Sequence, residues 1–183
     1  MPRPALADAL KTAELLYDRA TLDGVIRRMG GEVHGALRGE VPVYLTVMNG
    51  GLIFAGALAL AIPGDLEFDY AHATRYHGGT HGQELGWIQR PRTDLAGRTV
   101  LLADDILDEG YTLRAIRDHC LAAGARRVLI AVLCEKRHGR TAPGIRADFV
   151  GVAVPDRYVF GFGMDYHEQG RNLPGIYALK ETA

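Results

Sequence analysis

The hydrophobic positions of this chain change period several times, and each change marks a boundary. Leu22, Val25, Ile26, Met29, Val33, Ala36 and Leu37 recur at steps of three and four, the spacing that lines one face of a helix. Thr21 is placed to cap that helix, and Gly30-Gly31 to kink or interrupt it. Val41 to Met48 is β-branched and apolar, which predicts a strand, and Asn49-Gly50-Gly51 then opens a helix through Ala61. The most apolar stretch, Leu52 to Ile62, is too short to span a membrane and stops at Pro63-Gly64, so it reads as a buried helix. Leu66, Phe68 and Tyr70 alternate with polar neighbours, predicting a strand that ends near Thr74-Arg75-Tyr76.

Farther on, Val100-Leu101-Leu102-Ala103 is a short continuous apolar run, as in a strand buried on both faces. Leu113, Ile116, Leu121 and Ala122 then support a helix ending at Gly124, and Val128 to Leu133 is a second buried strand. Strands alternating with helices predict an α/β fold with a central, mostly parallel twisted sheet, flanked by helices and joined by right-handed crossovers. Asp148 to Ala183 is less regular, and its short strands and loops fit a small cap better than another crossover.

Composition narrows the picture. A chain of 183 residues, 48% hydrophobic and undivided by a Pro/Gly/Ser-rich linker, is expected to form one domain around one sizeable core. Its formal net charge of −1 gives no general pull toward nucleic acid or anionic membrane. Cys120 and Cys134 are the only cysteines, each in an apolar setting, and read as buried thiols in a reducing compartment. Met1-Pro2-Arg3-Pro4 leads into an ordinary mixed helix with no signal-peptide pattern, so a cytoplasmic protein is expected.

The chemistry concentrates where the strand from Val100 breaks into Asp104-Asp105-Ile106-Leu107-Asp108-Glu109-Gly110-Tyr111-Thr112. Carboxylates then fall at a strand's carboxyl end, where open α/β sheets place their ligands. Gly110 permits positive φ, Thr112 can cap the next helix, and amides at a helix start favour an anion. Acids crowded beside an anion site fit a sugar phosphate: phosphate on the amides of Glu109 to Thr112, hydroxyls and any bound Mg²⁺ against Asp104 and Asp105. Asn49-Gly50-Gly51 repeats the strand, glycine loop, helix arrangement but lacks a nucleotide P-loop ending, so it is equally a plain turn or a phosphate site.

Other clusters carry less. His77-Gly78-Gly79-Thr80-His81-Gly82-Gln83 is too glycine-rich for a fixed element; it reads as a lid, not a metal site. Glu135-Lys136-Arg137-His138 is equally a solvated charged turn, and His167-Glu168-Gln169-Gly170-Arg171 is not the zinc pattern, since Arg171 takes the second ligand position.

The stretch from Val100 to Leu113 resembles the phosphoribosyl-pyrophosphate motif of the type I phosphoribosyltransferases. The resemblance implies that Asp104 and Asp105 face ribose hydroxyls and magnesium waters, and that residues 108 to 112 (Asp108, Glu109, Gly110, Tyr111, Thr112) hold the 5′-phosphate. Glu109 departs from the family's usual Thr or Ser, and its side chain is expected to point away. Met48-Asn49-Gly50 is similar to the pyrophosphate loop of the hypoxanthine-guanine branch, where members often hold a non-proline cis peptide; Asn49 departs from the basic residue of the mammalian enzymes. Arg75-Tyr76 resembles the family's lid, and Pro155-Asp156-Arg157-Tyr158-Val159 with Asp165-Tyr166 and Arg171 resembles the hood of the 6-oxopurine enzymes. The matching segments run from about residue 43 to 175.

What this resemblance implies is a purine salvage enzyme that joins hypoxanthine or guanine to phosphoribosyl pyrophosphate, with one or two Mg²⁺ ions. Asp108 takes the family's acid/base position; Ile106, Lys136, Tyr158, Val159 and Asp165 meet the base; Asn49, Gly50 and Arg171 meet pyrophosphate; and Asp104, Asp105 and Asp165 meet metal. It also implies a core over about 20–153, a hood over about 154–183 with part of the N-terminus, and a homodimer or homotetramer. Two alternatives stay open: a xanthine-preferring enzyme, and a non-catalytic regulator of the same fold that senses phosphoribosyl pyrophosphate and binds nucleic acid.

Overall fold

The computed structural model describes residues 4–75 and 85–180. A short α1 (Leu6–Thr12) and β1 (Glu14–Tyr17) precede the long α2 (Arg19–Leu37), β2 (Val43–Met48), α3 (Leu52–Ala61) and β3 (Glu67–Arg75). After β4 (Leu85–Gln89) come β5 (Thr99–Leu107), α4 (Tyr111–Ala122), β6 (Arg127–Lys136) and β7 (Phe149–Val154), then the short β8 (Val159–Phe160) and β9 (Ile176–Ala178).

Six strands form one sheet in the order β4-β3-β2-β5-β6-β7, parallel except for the β3–β4 pair. Alternation along β5 divides the core between two layers. Leu101 and Ala103 pack with Leu22, Ile26 and Met29 of α2 and Phe54 and Leu58 of α3. Val100 and Leu102 face the other way, onto Leu113, Ile116 and Cys120 of α4. This is the two-sided burial expected of a parallel sheet.

Local details correct several expectations. The α2 cap is Asp18, whose carboxylate accepts the Thr21 N–H at 2.8 Å, so Thr21 is the third helical residue. Gly30-Gly31 does not break α2; Gly30 lies where α2 crosses α3, and a Cβ there would overlap the Ala61 backbone. The α3 helix is only half buried. Phe54, Ala55 and Leu58 face the sheet, while Leu52 and Leu60 are exposed (Leu60 by 94%), because a helix resting on one layer hides only one stripe.

The region after Asp148 also differs. It does contain another crossover, without a helix, since β7 pairs in parallel with β6 from Phe149 to Val154. Beyond it, β8 and β9 join β1 in a three-stranded antiparallel sheet, order β1-β9-β8. That sheet brings the N-terminal segment beside the C-terminal one, over the carboxyl end of the main sheet.

The topology positions the site. From β2 the chain passes through α3 to β3 on one side; from β5 it passes through α4 to β6 on the other. The strand order therefore reverses between β2 and β5. Their pairing stops at Thr46/Ala103, whereas β5 stays paired with β6 as far as Leu107/Glu135. A crevice opens there, as the rule for open α/β sheets anticipates.

Candidate active site

The crevice holds a cavity of about 590 Å³, within the roughly 300–1,000 Å³ range of small-molecule sites. Its floor is the second half of β5, which continues as a strand through Asp104 and Asp105 to Leu107. Strand geometry therefore holds both carboxylates, rather than a loose acidic turn.

Asp104 and Asp105 are both buried, and Asp104 accepts the Asp105 N–H at 2.9 Å. Burial pushes both carboxyls above their usual range, and for Asp104 the neighbouring Asp105 charge adds to it. The cation acting on both is Arg171. Gly50 meets Asp105 so closely that a Cβ would overlap its carboxylate, which is why the loop after β2 must carry glycine. The Met48–Asn49 peptide in that loop is cis.

Gly110 adopts φ 78°, and a Cβ there would come within 2.8 Å of both Leu107 and Ile145. It is the N-cap of α4, so Thr112 is a helical residue and not the cap. The helical ladder begins with Arg114 N–H to the Gly110 carbonyl at 2.9 Å, and Gly110, Thr112 and Leu113 line the cavity. The positive end of the α4 dipole thus faces it.

Asp108 carries two partners. Lys136 Nζ donates to its Oδ2 at 2.6 Å, and His138 Nε2 lies 2.6 Å from Oδ1. Burial works against ionisation of Asp108, but these hydrogen bonds and charges win and hold its carboxyl below the ordinary range. Lys136 is the last residue of β6, which runs three residues beyond its apolar stretch, so the charged turn expected there starts only afterwards.

The hood closes the opposite wall. Tyr158 is 43% exposed, lines the cavity and donates from its hydroxyl to the Asp165 carbonyl at 3.2 Å. Arg171 reaches Asp165 Oδ1 at 2.7 Å and donates to the Gly163 carbonyl at 2.8 Å. Asp165 also accepts the Glu168 N–H at 2.9 Å.

Comparison with known proteins decides the family. The phosphoribosyl transferase domain model matches residues 13–169. The hypoxanthine-guanine phosphoribosyltransferase of Streptococcus pneumoniae is 35% identical over 177 residues, covering 96% of this chain and 97% of that protein. The chain belongs to the phosphoribosyltransferase family, in its hypoxanthine-guanine branch. The corresponding enzyme of Streptococcus pyogenes serotype M3 is 31% identical, over 92% of this chain and 93% of that one. A crystal structure of the hypoxanthine phosphoribosyltransferase of Staphylococcus aureus superposes with a TM-score of 0.88, at 28% identity and 95% coverage of both chains.

Within this phosphoribosyltransferase fold, residues read from separate stretches meet on one cavity. Asn49, Gly50, Asp104, Asp105, Ile106 and Asp108 line it from the sheet side, and Lys136, Tyr158, Val159, Asp165 and Arg171 from the far side. Gly110 and Thr112 line it too, whereas Glu109 and Tyr111 do not. Arg75 ends β3, and the predicted lid from Tyr76 through Gln83, with His77 and His81, lies outside the described residues.

Sequence reading passed over others. His72 and Thr74, on β3, line the cavity because β3 runs beside β2 as far as Met48/His72; their alternation with Ala71 and Ala73 was the available signal. Glu168 lines it from the hood. His138 was visible only as part of a charged cluster, and nothing local in it points to Asp108, 30 positions away.

Proposed function

We propose that the chain transfers the phosphoribosyl group of phosphoribosyl pyrophosphate to hypoxanthine or guanine, giving IMP or GMP and pyrophosphate. The observation that carries this reading is the contact between Asp108 and Lys136, which puts a proton acceptor and a donor-only cation side by side on the cavity wall. An ammonium can only donate. It suits the exocyclic oxygen of a 6-oxopurine and would leave the amino group of adenine facing another donor, at a cost of about 1 to 3 kcal/mol for each unpaired group.

In this reading the base draws Lys136 toward its oxygen, which frees Asp108 Oδ2 to accept the ring proton as nitrogen attacks the anomeric carbon. Tyr158 offers an exposed ring for stacking, and the Val159 backbone and Ile106 complete the base site. The 5′-phosphate rests at the N-terminal end of α4 beside Gly110 and Thr112. Ribose hydroxyls donate to Asp104 and Asp105, and Asn49, Gly50 and Arg171 receive pyrophosphate.

Magnesium fits this donor set. Asp104 and Asp105 are buried carboxylates held out of water with Arg171 as their cation, and positive charge beside them relieves that cost. Among the described residues no three His, Cys, Asp or Glu side chains gather as a metal cage, so one ion would be held by Asp104 and Asp105 and a second by Asp165, each shared with substrate oxygens. When bound, Mg²⁺ neutralises charge on the departing pyrophosphate.

We further propose that the chain acts as a homodimer or homotetramer. Leu52, Phe68, Tyr70 and Met48 line a shallow apolar groove of about 280 Å³, and Phe68 is 64% exposed. A second copy of the chain would cover such a surface. No helix among the described residues is long and apolar enough to cross a membrane, and a cytoplasmic location fits the two free, buried cysteines.

A steady-state assay with phosphoribosyl pyrophosphate and Mg²⁺, offering hypoxanthine, guanine, xanthine and adenine separately, tests the reaction. Turnover of either of the first two, lost in Asp108→Asn, is expected. Turnover confined to xanthine or adenine would overturn the base assignment, and none with any base the transferase reading.

A further inference from the structure

Asp108 has two carboxylate oxygens, and the reaction proposed above uses one. Its Oδ2 is held by Lys136, which must leave for the base. Once Lys136 departs, no other hydrogen bond among the described residues holds that side of a carboxylate that is 37% exposed. The other oxygen is held differently. His138, whose side chain is 3% exposed, brings Nε2 to 2.6 Å from Oδ1.

The histidine is itself fixed. Its Nδ1 accepts the Arg140 N–H at 3.0 Å, so that nitrogen carries no proton and Nε2 is the donor to Asp108. Both ring nitrogens are therefore committed. The loop behind it is tied to the segment that leads into the hood: Arg137 N–H donates to the Val154 carbonyl at 3.0 Å, and the Arg140 guanidinium grips Asp156 with two bonds of 2.7 and 2.8 Å. Asp156 lies two residues before Tyr158. Ala142 N–H, in the same loop, donates to the Glu109 carbonyl at 2.8 Å.

We propose that His138 is a positioning residue for proton transfer, anchoring Asp108 by Oδ1 so that Oδ2 stays aimed at the base after Lys136 moves away. The inference rests on the reading of Asp108 as proton acceptor. It adds a residue that acts through another, and it connects the proton acceptor to the base-stacking hood through Arg140 and Asp156. The charged groups around the pair are Lys136 on β6, Arg140 and its partner Asp156, and Glu109, which also acts on Arg140.

The test compares His138→Ala, His138→Asn and His138→Gln, with kcat, KM for each substrate, pH profiles and thermal unfolding for each. A glutamine amide reaches about as far as Nε2, whereas an asparagine amide reaches only as far as Nδ1. His138→Ala and His138→Asn are expected to lose about 10- to 100-fold in kcat, the scale of a misplaced reacting group. KM for phosphoribosyl pyrophosphate should stay within about threefold, the acid limb should move to higher pH, and His138→Gln should recover most of the rate. Unchanged kcat and pH profile in His138→Ala would overturn the proposal, as would equal losses in Ala and Gln, which indicate packing alone. Carboxyl NMR of Asp108 in wild type and His138→Ala reads the anchor without turnover. Its titration should rise in the variant, and an unmoved titration refutes the anchor even if the wild type acts on no purine.

Discussion

Lys136 Nζ lies 2.6 Å from Asp108 Oδ2, so the residue read as choosing the base and the residue read as taking its proton occupy each other until a base arrives. In the proposed reaction this contact links selection to proton transfer, since a ring that cannot attract the ammonium leaves Asp108 occupied.

Replacing the lysine should separate the two effects. Lys136→Ala is expected to lower the preference for hypoxanthine over adenine by about 10- to 100-fold in kcat/KM, the equivalent of one mispaired buried donor. Competition assays with both bases measure it. A preference left intact would show that selection lies elsewhere in the cavity.

The pH dependence follows from Asp108. Its folded carboxyl lies below the ordinary range, so it is ionised as an acceptor throughout the neutral region and any acid limb it sets falls below the usual carboxylate value. A depressed carboxyl contributes stability that is present above its unfolded value and lost as pH falls through the folded one. Lys136→Ala removes a donor, raises the carboxyl and should shift the limb of kcat/KM upward. Asp108→Asn should reduce kcat by about 10² to 10⁴ while binding of phosphoribosyl pyrophosphate, followed by calorimetry, changes little.

Gly110 serves both fold and site. Gly110→Ala must accommodate φ 78° and a collision with Leu107 and Ile145, and a loss of about 1 to 3 kcal/mol in unfolding free energy is expected. Chemical denaturation measures it. The start of α4 would move with it, so KM for phosphoribosyl pyrophosphate should rise several-fold.

The exposed apolar face of α3 and β3 bears on assembly. Phe68→Ser combined with Leu52→Gln is expected to shift the particle toward monomer in sedimentation, since both side chains stand exposed beside one groove. An unchanged mass would exclude this groove as the contact proposed between copies.

Much of the fold was legible locally. The helix from Leu22 to Leu37 encodes its buried face in a period of three to four, and the apolar runs ending at Met48 and beginning at Val100 mark strands buried on both faces, signals that depend on near neighbours alone. The expected caps at Thr21 and Thr112 did not hold, because both helices begin earlier: the Asp18 carboxylate caps α2, and the left-handed turn at Gly110 starts α4. Exposure of Leu52 and Leu60 escaped the reading because an all-apolar helix carries no mark of which side faces the sheet.

By itself, then, the sequence determined the alternation of strands and helices, the acidic loop that ends in Gly110, and the family that these motifs resemble. Only the tertiary structure decided where β2 and β5 part, that β1 pairs with β9 across some 160 residues, and that His138 reaches Asp108. The physical reason is range. Periodicity and turn chemistry are properties of neighbouring residues, whereas a crevice and a hydrogen bond between distant segments arise only when the whole sheet fixes their separation.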